Sequence, residues 1–219
     1  MRISPAAIIL FAFASLFLNM PSCPAQVPVI EMLSGLRSAV VEIIAEDASH
    51  FRKGAGVVMR RDGLIVCNMH TVQGASRILI RYDRTGRRPA RIIRVFPEYD
   101  LILLKIDPPA PLSPVRLAGK QDVSLRQTVY HIGSSFLLDG TISEGRITGL
   151  GSSKSEIVHG NKDIDIIRLD IQLFKGDSGG PLFDQEGRLI GMVVAADTTR
   201  DRVSFAVPVN KIKKILSAP

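Results

Sequence analysis

The chain has 219 residues, 46% of them hydrophobic and none of them Trp, and a formal net charge of +7. That length supports a sizeable core in one or two compact units. The basic residues are scattered, in short clusters such as Arg60-Arg61, Arg87-Arg88 and Lys211-Lys213-Lys214, and aromatic residues make up only 5%. A nucleic-acid partner needs a continuous basic face and stacking rings, so a solvated basic surface is expected instead.

In chain order, Arg2 followed by the apolar run Ala6 to Leu18 and the stretch Asn19–Ala25 reads as a signal peptide, residues 1–25. The apolar run is shorter than the ~20 residues of a spanning helix. Cleavage after Ala25 places Cys23 and Ala25 at the two small-residue positions. The alternative is a lipoprotein signal with Cys23 lipidated, the one route by which a membrane becomes a partner. The mature protein is expected to be exported, periplasmic or secreted. Cys67 then has no intramolecular partner and, following Leu64-Ile65-Val66, reads as a small buried hydrophobe.

Val29 to Leu36 predicts a short helix. Short apolar runs follow at Ala39–Ile44, Gly56–Met59, Leu64–Cys67, Ile78–Tyr82, Ala90–Phe96 and Leu101–Ile106, separated by turn signals such as Asp62-Gly63 and Thr85-Gly86. Four prolines in the seven residues Pro108 to Pro114 cannot join a sheet interior and mark an internal boundary. A second set of strands is predicted at Thr128–Ile132, Thr141–Thr148, Ile164–Ile171, Pro181–Phe183, Leu189–Ala195 and Val203–Val207, with a polar loop from Ser152 to Lys162. A terminal helix closes the chain, with Ile212, Ile215 and Leu216 on one face. The expected fold class is all-β: two antiparallel barrels with short N-terminal and C-terminal helices. The expected bounds are barrel one 37–107, linker 108–120, barrel two 121–208 and helix 209–217, within a domain spanning 26–219.

Three features carry chemistry. His70 directly follows a strand, Asp100 opens the apolar run Leu101–Ile106, and Ser178 sits within Gly176-Asp177-Ser178-Gly179-Gly180-Pro181. A hydroxyl is a poor nucleophile at neutral pH. His70 can take its proton while Asp100 orients the imidazole and stabilises the imidazolium. The N–H groups of Gly176 and Ser178 can receive a developing oxyanion. Any one of these residues alone has an ordinary structural reading; the three together are far more specific. Asp107, before the proline segment, reads as a strand terminator, and His50, His131 and His159 read as structural. No metal or cofactor is expected.

The order His70, Asp100, Ser178 resembles that of chymotrypsin-like serine proteases, and the chain is most similar to their bacterial HtrA (Deg) branch. The likeness lies in Gly54–Val58, Asp62–Val72, Asp100–Asp107, Gly133-Ser134-Ser135-Phe136, Gly176–Leu182 and Ser204–Asn210, and spans Val29 to Leu216. It implies two six-stranded barrels with a cleft between them, His70 and Asp100 coming from the first and Ser178 from the second. It also implies that Gln172, Leu173, Phe174, Val194, Ala195 and Ala196 border the substrate pocket. No acidic residue occupies the floor segment, so small or medium apolar side chains are expected before the cut. The HtrA PDZ domain and trimer are not carried over, since the sequence ends at Pro219. A second departure is Asp177, where HtrA members usually have Asn and the digestive branch has an Asp neutralised by a new N-terminus. No Ile-Val-Gly-Gly start is present, so a buried Asp177 needs another partner, with Lys175 and the arginines as candidates. The expected function is serine endopeptidase action on unfolded or extended polypeptide, in the manner of protein quality control. A catalytically silent peptide-binding pseudoprotease is the alternative.

Overall fold

A computed structural model of the chain describes residues 29–48, 50–82, 86–133, 141–153, 164–196 and 200–218. The signal segment with Cys23 and Ala25, the Ser134–Phe136 motif, His159 and most of the Ser152–Lys162 loop lie outside the described residues.

The chain forms two seven-stranded sheets. The first contains β1 (Val40–Glu46), β2 (Phe51–Val58), β3 (Leu64–Asn68), β4 (Arg77–Arg81), β5 (Arg88–Pro89), β6 (Arg91–Phe96) and β7 (Leu101–Lys105), in the order β5-β4-β1-β2-β3-β7-β6. The second contains β8 (Arg116–Leu117), β9 (Thr128–Ile132), β10 (Ile142–Ser153), β11 (Ile164–Leu169), β12 (Pro181–Phe183), β13 (Arg188–Ala196) and β14 (Ser204–Pro208). Here the β12–β13 pairing closes six strands, β9 to β14, into a barrel. The architecture is therefore the expected chymotrypsin-like one, realised as a closed six-strand barrel and a half-barrel.

The short strands follow from the β-branched and aliphatic runs that the turn residues separate. Two boundaries differ from the sequence reading for one reason. β2 begins at Phe51 and β10 continues to Ser153, through segments poor in apolar residues. Those segments are held by their neighbours: Glu46 pairs with Phe51, and Ile166 with Gly151. In β6, Ile92, Ile93 and Val95 remain 51%, 44% and 41% exposed, although an apolar run alone suggests burial.

One apolar cluster crosses between the halves, joining Val57, Val66 and Leu103 of the first sheet to Ile132, Phe183 and Met192 of the second. Helix α1 (Val29–Leu36) precedes the first sheet yet buries Leu33 in this cluster and lays Met32 and Leu36 over the β12–β13 turn at Gly187. Helix α3 (Val209–Leu216) buries Val209, Ile212 and Ile215 and turns its lysines outward. Among the described residues no helix is long and apolar enough to cross a membrane.

Candidate active site

The first sheet supplies a histidine and a carboxylate in direct contact. β3 ends at Asn68 and runs straight into the single helical turn α2 (Met69–Val72), which carries His70. Opposite it, a turn of 3-10 helix, Pro97–Tyr99, delivers Asp100 in the left-handed conformation, φ 52° and ψ 37°. A non-glycine residue there costs about 1–2 kcal/mol, and Asp and Asn bear it best. Four hydrogen bonds offset that cost. Asp100 O accepts from Met69 N–H at 2.9 Å and from Asn68 Nδ2 at 3.1 Å. Asp100 Oδ1 accepts from His70 N–H at 2.9 Å, and Oδ2 lies 2.5 Å from His70 Nδ1. The carboxylate is fully buried while the His70 side chain keeps 26% exposure. His70 is thus pinned at Nδ1, with the tautomer that puts the basic lone pair on Nε2.

The serine elbow is built from the second barrel and pressed onto the first. Gly179 N–H donates to Val193 O, and Val193 N–H to Gly180 O, at 2.8 and 2.9 Å, so β13 carries the loop. Ser178 O accepts from Ala55 N–H of β2 at 2.8 Å. Gly179 has φ 86°, and a Cβ there would lie 2.2 Å from Ala55 O and 3.3 Å from Asn68 N. Only glycine fits this approach. Ser178 is therefore brought beside the β3–α2 turn by main-chain contacts, two residues from His70 along the chain at Asn68. Thr71 closes the same corner against Gly54. Ala55, Asn68 and Thr71 lie within the Gly54–Val58 and Asp62–Val72 segments, but residue type assigns them no role there because their contribution is to hold backbone.

Gly176, with φ 105°, sits in a turn closed by Asp177 N–H donating to Phe174 O at 3.0 Å. Asp177 is buried, and its Oδ2 accepts from Phe174 N–H at 2.8 Å. Its other oxygen faces Nε2 of the buried His131 at 3.7 Å. Among the described residues the charged or titratable group within 4 Å of Asp177 is thus neither Lys175 nor an arginine but the imidazole of His131, read from sequence as structural. Of the expected pocket residues, Gln172 and Phe174 are exposed, Leu173 and Ala195 half-buried, Val194 buried and Ala196 exposed at the end of β13. Cys67 is buried, and desolvation, with a smaller effect from the Asp100 charge, pushes its thiol up, so it stays an inert thiol.

Residues 54–192 match the family model described as a trypsin-like peptidase domain. The chain is 35% identical to the magnetosome formation protease MamE of Paramagnetospirillum magneticum over 166 residues, covering 73% of this chain and 22% of the relative. It is 33% identical to serine protease HTRA1B of Danio rerio over 192 residues, covering 81% of this chain and 40% of the relative. It therefore spans well under half the length of either. The fold matches the active-form crystal structure of the Rv3671c protease from M. tuberculosis with a TM-score of 0.76 at 22% identity, covering 89% of this chain and 86% of that one. With a partly exposed histidine gripped by a buried Asp and a glycine-bound serine loop inside the matched segment, the chain belongs to the trypsin-like peptidase family and is a homologue of the HtrA serine proteases.

Proposed function

We propose that the mature chain is an exported serine endopeptidase that cuts unfolded or extended polypeptides through His70, Asp100 and Ser178. The observation that carries this reading is the two-point grip of Asp100 on His70 beside a serine loop bonded to the neighbouring strand. His70 Nε2 takes the proton of Ser178 Oγ as the oxygen attacks the scissile carbonyl carbon. The tetrahedral oxyanion is received by the N–H groups of Gly176 and Ser178. His70 then gives the proton to the leaving amine as the C–N bond breaks. Water, deprotonated by His70, hydrolyses the acyl ester and restores Ser178. Asp100 steadies the imidazolium through its contact with Nδ1.

Substrate is held by main chain. Beyond Met192, which pairs with Pro181, β13 runs past the end of β12 toward Ala196. There an extended peptide can add as a strand along Val194, Ala195 and Ala196, with its side chain before the cut facing Gln172, Leu173 and Phe174. The catalytically silent reading draws no support from relatives that bear the name of protease.

A fluorophosphonate probe tests the assignment. Mature protein is expected to gain the adduct at Ser178, located by peptide mass spectrometry, and Ser178→Ala to gain none. Folded protein that stays unlabelled, or casein hydrolysis by Ser178→Ala at the wild-type rate, overturns the reading, since loss of the nucleophile costs about 10⁶-fold in kcat. Export is read from the N-terminus of protein recovered outside the cytoplasm, expected at Gln26.

A further inference from the structure

We infer that His131 is a positioning residue for the peptidase: it holds Asp177, and through Asp177 the loop that presents the Gly176 and Ser178 amides. This rests on the reading just proposed and assigns a partner for the buried carboxylate that lies between the two oxyanion donors.

The geometry is specific. His131 lies on β9 between Ser143 of β10 and Leu182 of β12, and its Nδ1 donates to Pro181 O at 2.9 Å. Nδ1 therefore carries a proton, and Nε2 points at Asp177 Oδ1, 3.7 Å away. Both of these atoms are buried and lack a hydrogen-bond partner among the described residues. A neutral imidazole would turn a lone pair toward a carboxylate oxygen. One shared proton, on Nε2 or on Oδ1, converts that repulsion into attraction. Glycines make room for the contact: a Cβ on Gly133 would stand 2.7 Å from Asp177 Oδ1, and one on Gly180 would stand 2.5 Å from His131 Cε1. Among the described residues Asp177 is the one carboxylate within 4 Å of a His131 ring nitrogen.

The consequence falls on the loop. Asp177 closes the 174–177 turn through Phe174 N–H, and its main chain leads directly into Ser178. A carboxylate left in this place without a proton partner seeks water and pulls the turn open. His131 thus keeps the loop formed from within the second barrel, with no call on a new N-terminus.

The test is a set of variants in the mature protein, read by casein and peptide hydrolysis. His131→Ala is expected to lower kcat about 10²-fold, the scale of one lost oxyanion donor, with KM within about threefold. His131→Gln, whose amide can donate to Asp177, is expected to retain most of the rate. His131→Ala/Asp177→Asn is expected to recover at least tenfold over His131→Ala, because the stranded charge is gone. Wild-type kcat in a folded His131→Ala, or a double variant no better than the single, overturns the proposal. Should His131→Ala fail to fold, His131→Gln and the double variant decide. An independent arm uses ¹⁵N-histidine spectra of Ser178→Ala protein: Nδ1 is expected protonated, and the Nε2 shift to move on Asp177→Asn. An unmoved Nε2 overturns the contact. Wild-type protein that takes no fluorophosphonate sinks the peptidase reading, while the spectra still decide the pairing.

Discussion

At the scale of single residues, the site depends on two backbone conformations that side-chain motifs do not advertise. Asp100 holds a left-handed φ so that both carboxylate oxygens reach His70. Asn tolerates the same conformation, so Asp100→Asn is expected to fold with a near-native melting temperature yet lose about 10⁴-fold in kcat, because the imidazole then favours the wrong tautomer. A melting temperature that falls with the activity would instead mark Asp100 as a scaffold residue. Gly179 is the second case. Gly179→Ala forces a Cβ into Ala55 O at a residue already at φ 86°, and loss of both activity and more than ~2 kcal/mol of stability is expected, read by urea titration. Cys67 should resist thiol reagents in the native protein and react on unfolding, since its burial keeps it protonated.

Elements add a dependence on packing and charge. Helix α3 is anchored by buried Ile212 and Ile215 and, at its rim, by Lys211 Nζ lying 2.9 Å from Asp165 Oδ2 of β11. Ile212→Ala is expected to cost about 2–5 kcal/mol by opening a cavity in a filled core, measured by the same titration. The ion pair acts through pH. The hydrogen bond from Lys211, with a smaller effect from its charge, holds the Asp165 carboxyl below its ordinary value of 3.8. A group with a lowered folded pKa contributes stability above its unfolded pKa, and that contribution disappears as pH falls from 3.8 through the folded value. Asp165 is about half exposed, so the effect is small. Lys211→Ala should therefore lower stability slightly near neutral pH, leave it unchanged below the folded value, and so flatten the acid limb of stability against pH, read by urea titration across that range. At this scale the sequence was most legible. The hydrophobic runs marked nearly every strand, and the periodicity of Ile212 and Ile215 marked α3. The exposed Ile92, Ile93 and Val95 of β6 were not legible as exposed, because an apolar run does not say which sheet face will be covered.

Across the whole molecule, the two halves share an apolar cluster and the elbow itself. Leu33 of α1 and Val66 of β3 pack in one core with Phe183 and Met192 of the closed barrel, and Ala55 bonds to Ser178 across the junction. Hydrogen exchange in urea is therefore expected to show amides of β7 and of β13 losing protection at one midpoint, as for a single cooperative unit. Two separated midpoints would mean that the junction contributes little. The residues with chemistry of their own, His70, Asp100 and Ser178, are recognisable from type, order and local glycine content, because those properties belong to the chain at each point. The strand runs and terminal helices follow in the same way from local apolar period. What no local property could supply is the partner of Asp177. His131 lies 46 positions upstream on a strand that meets Pro181 and Leu182 only once the barrel has closed. Burial of a charge, and the proton that compensates it, are set by which strands share a register. Sheet closure alone turns an ordinary histidine into the support of the serine loop.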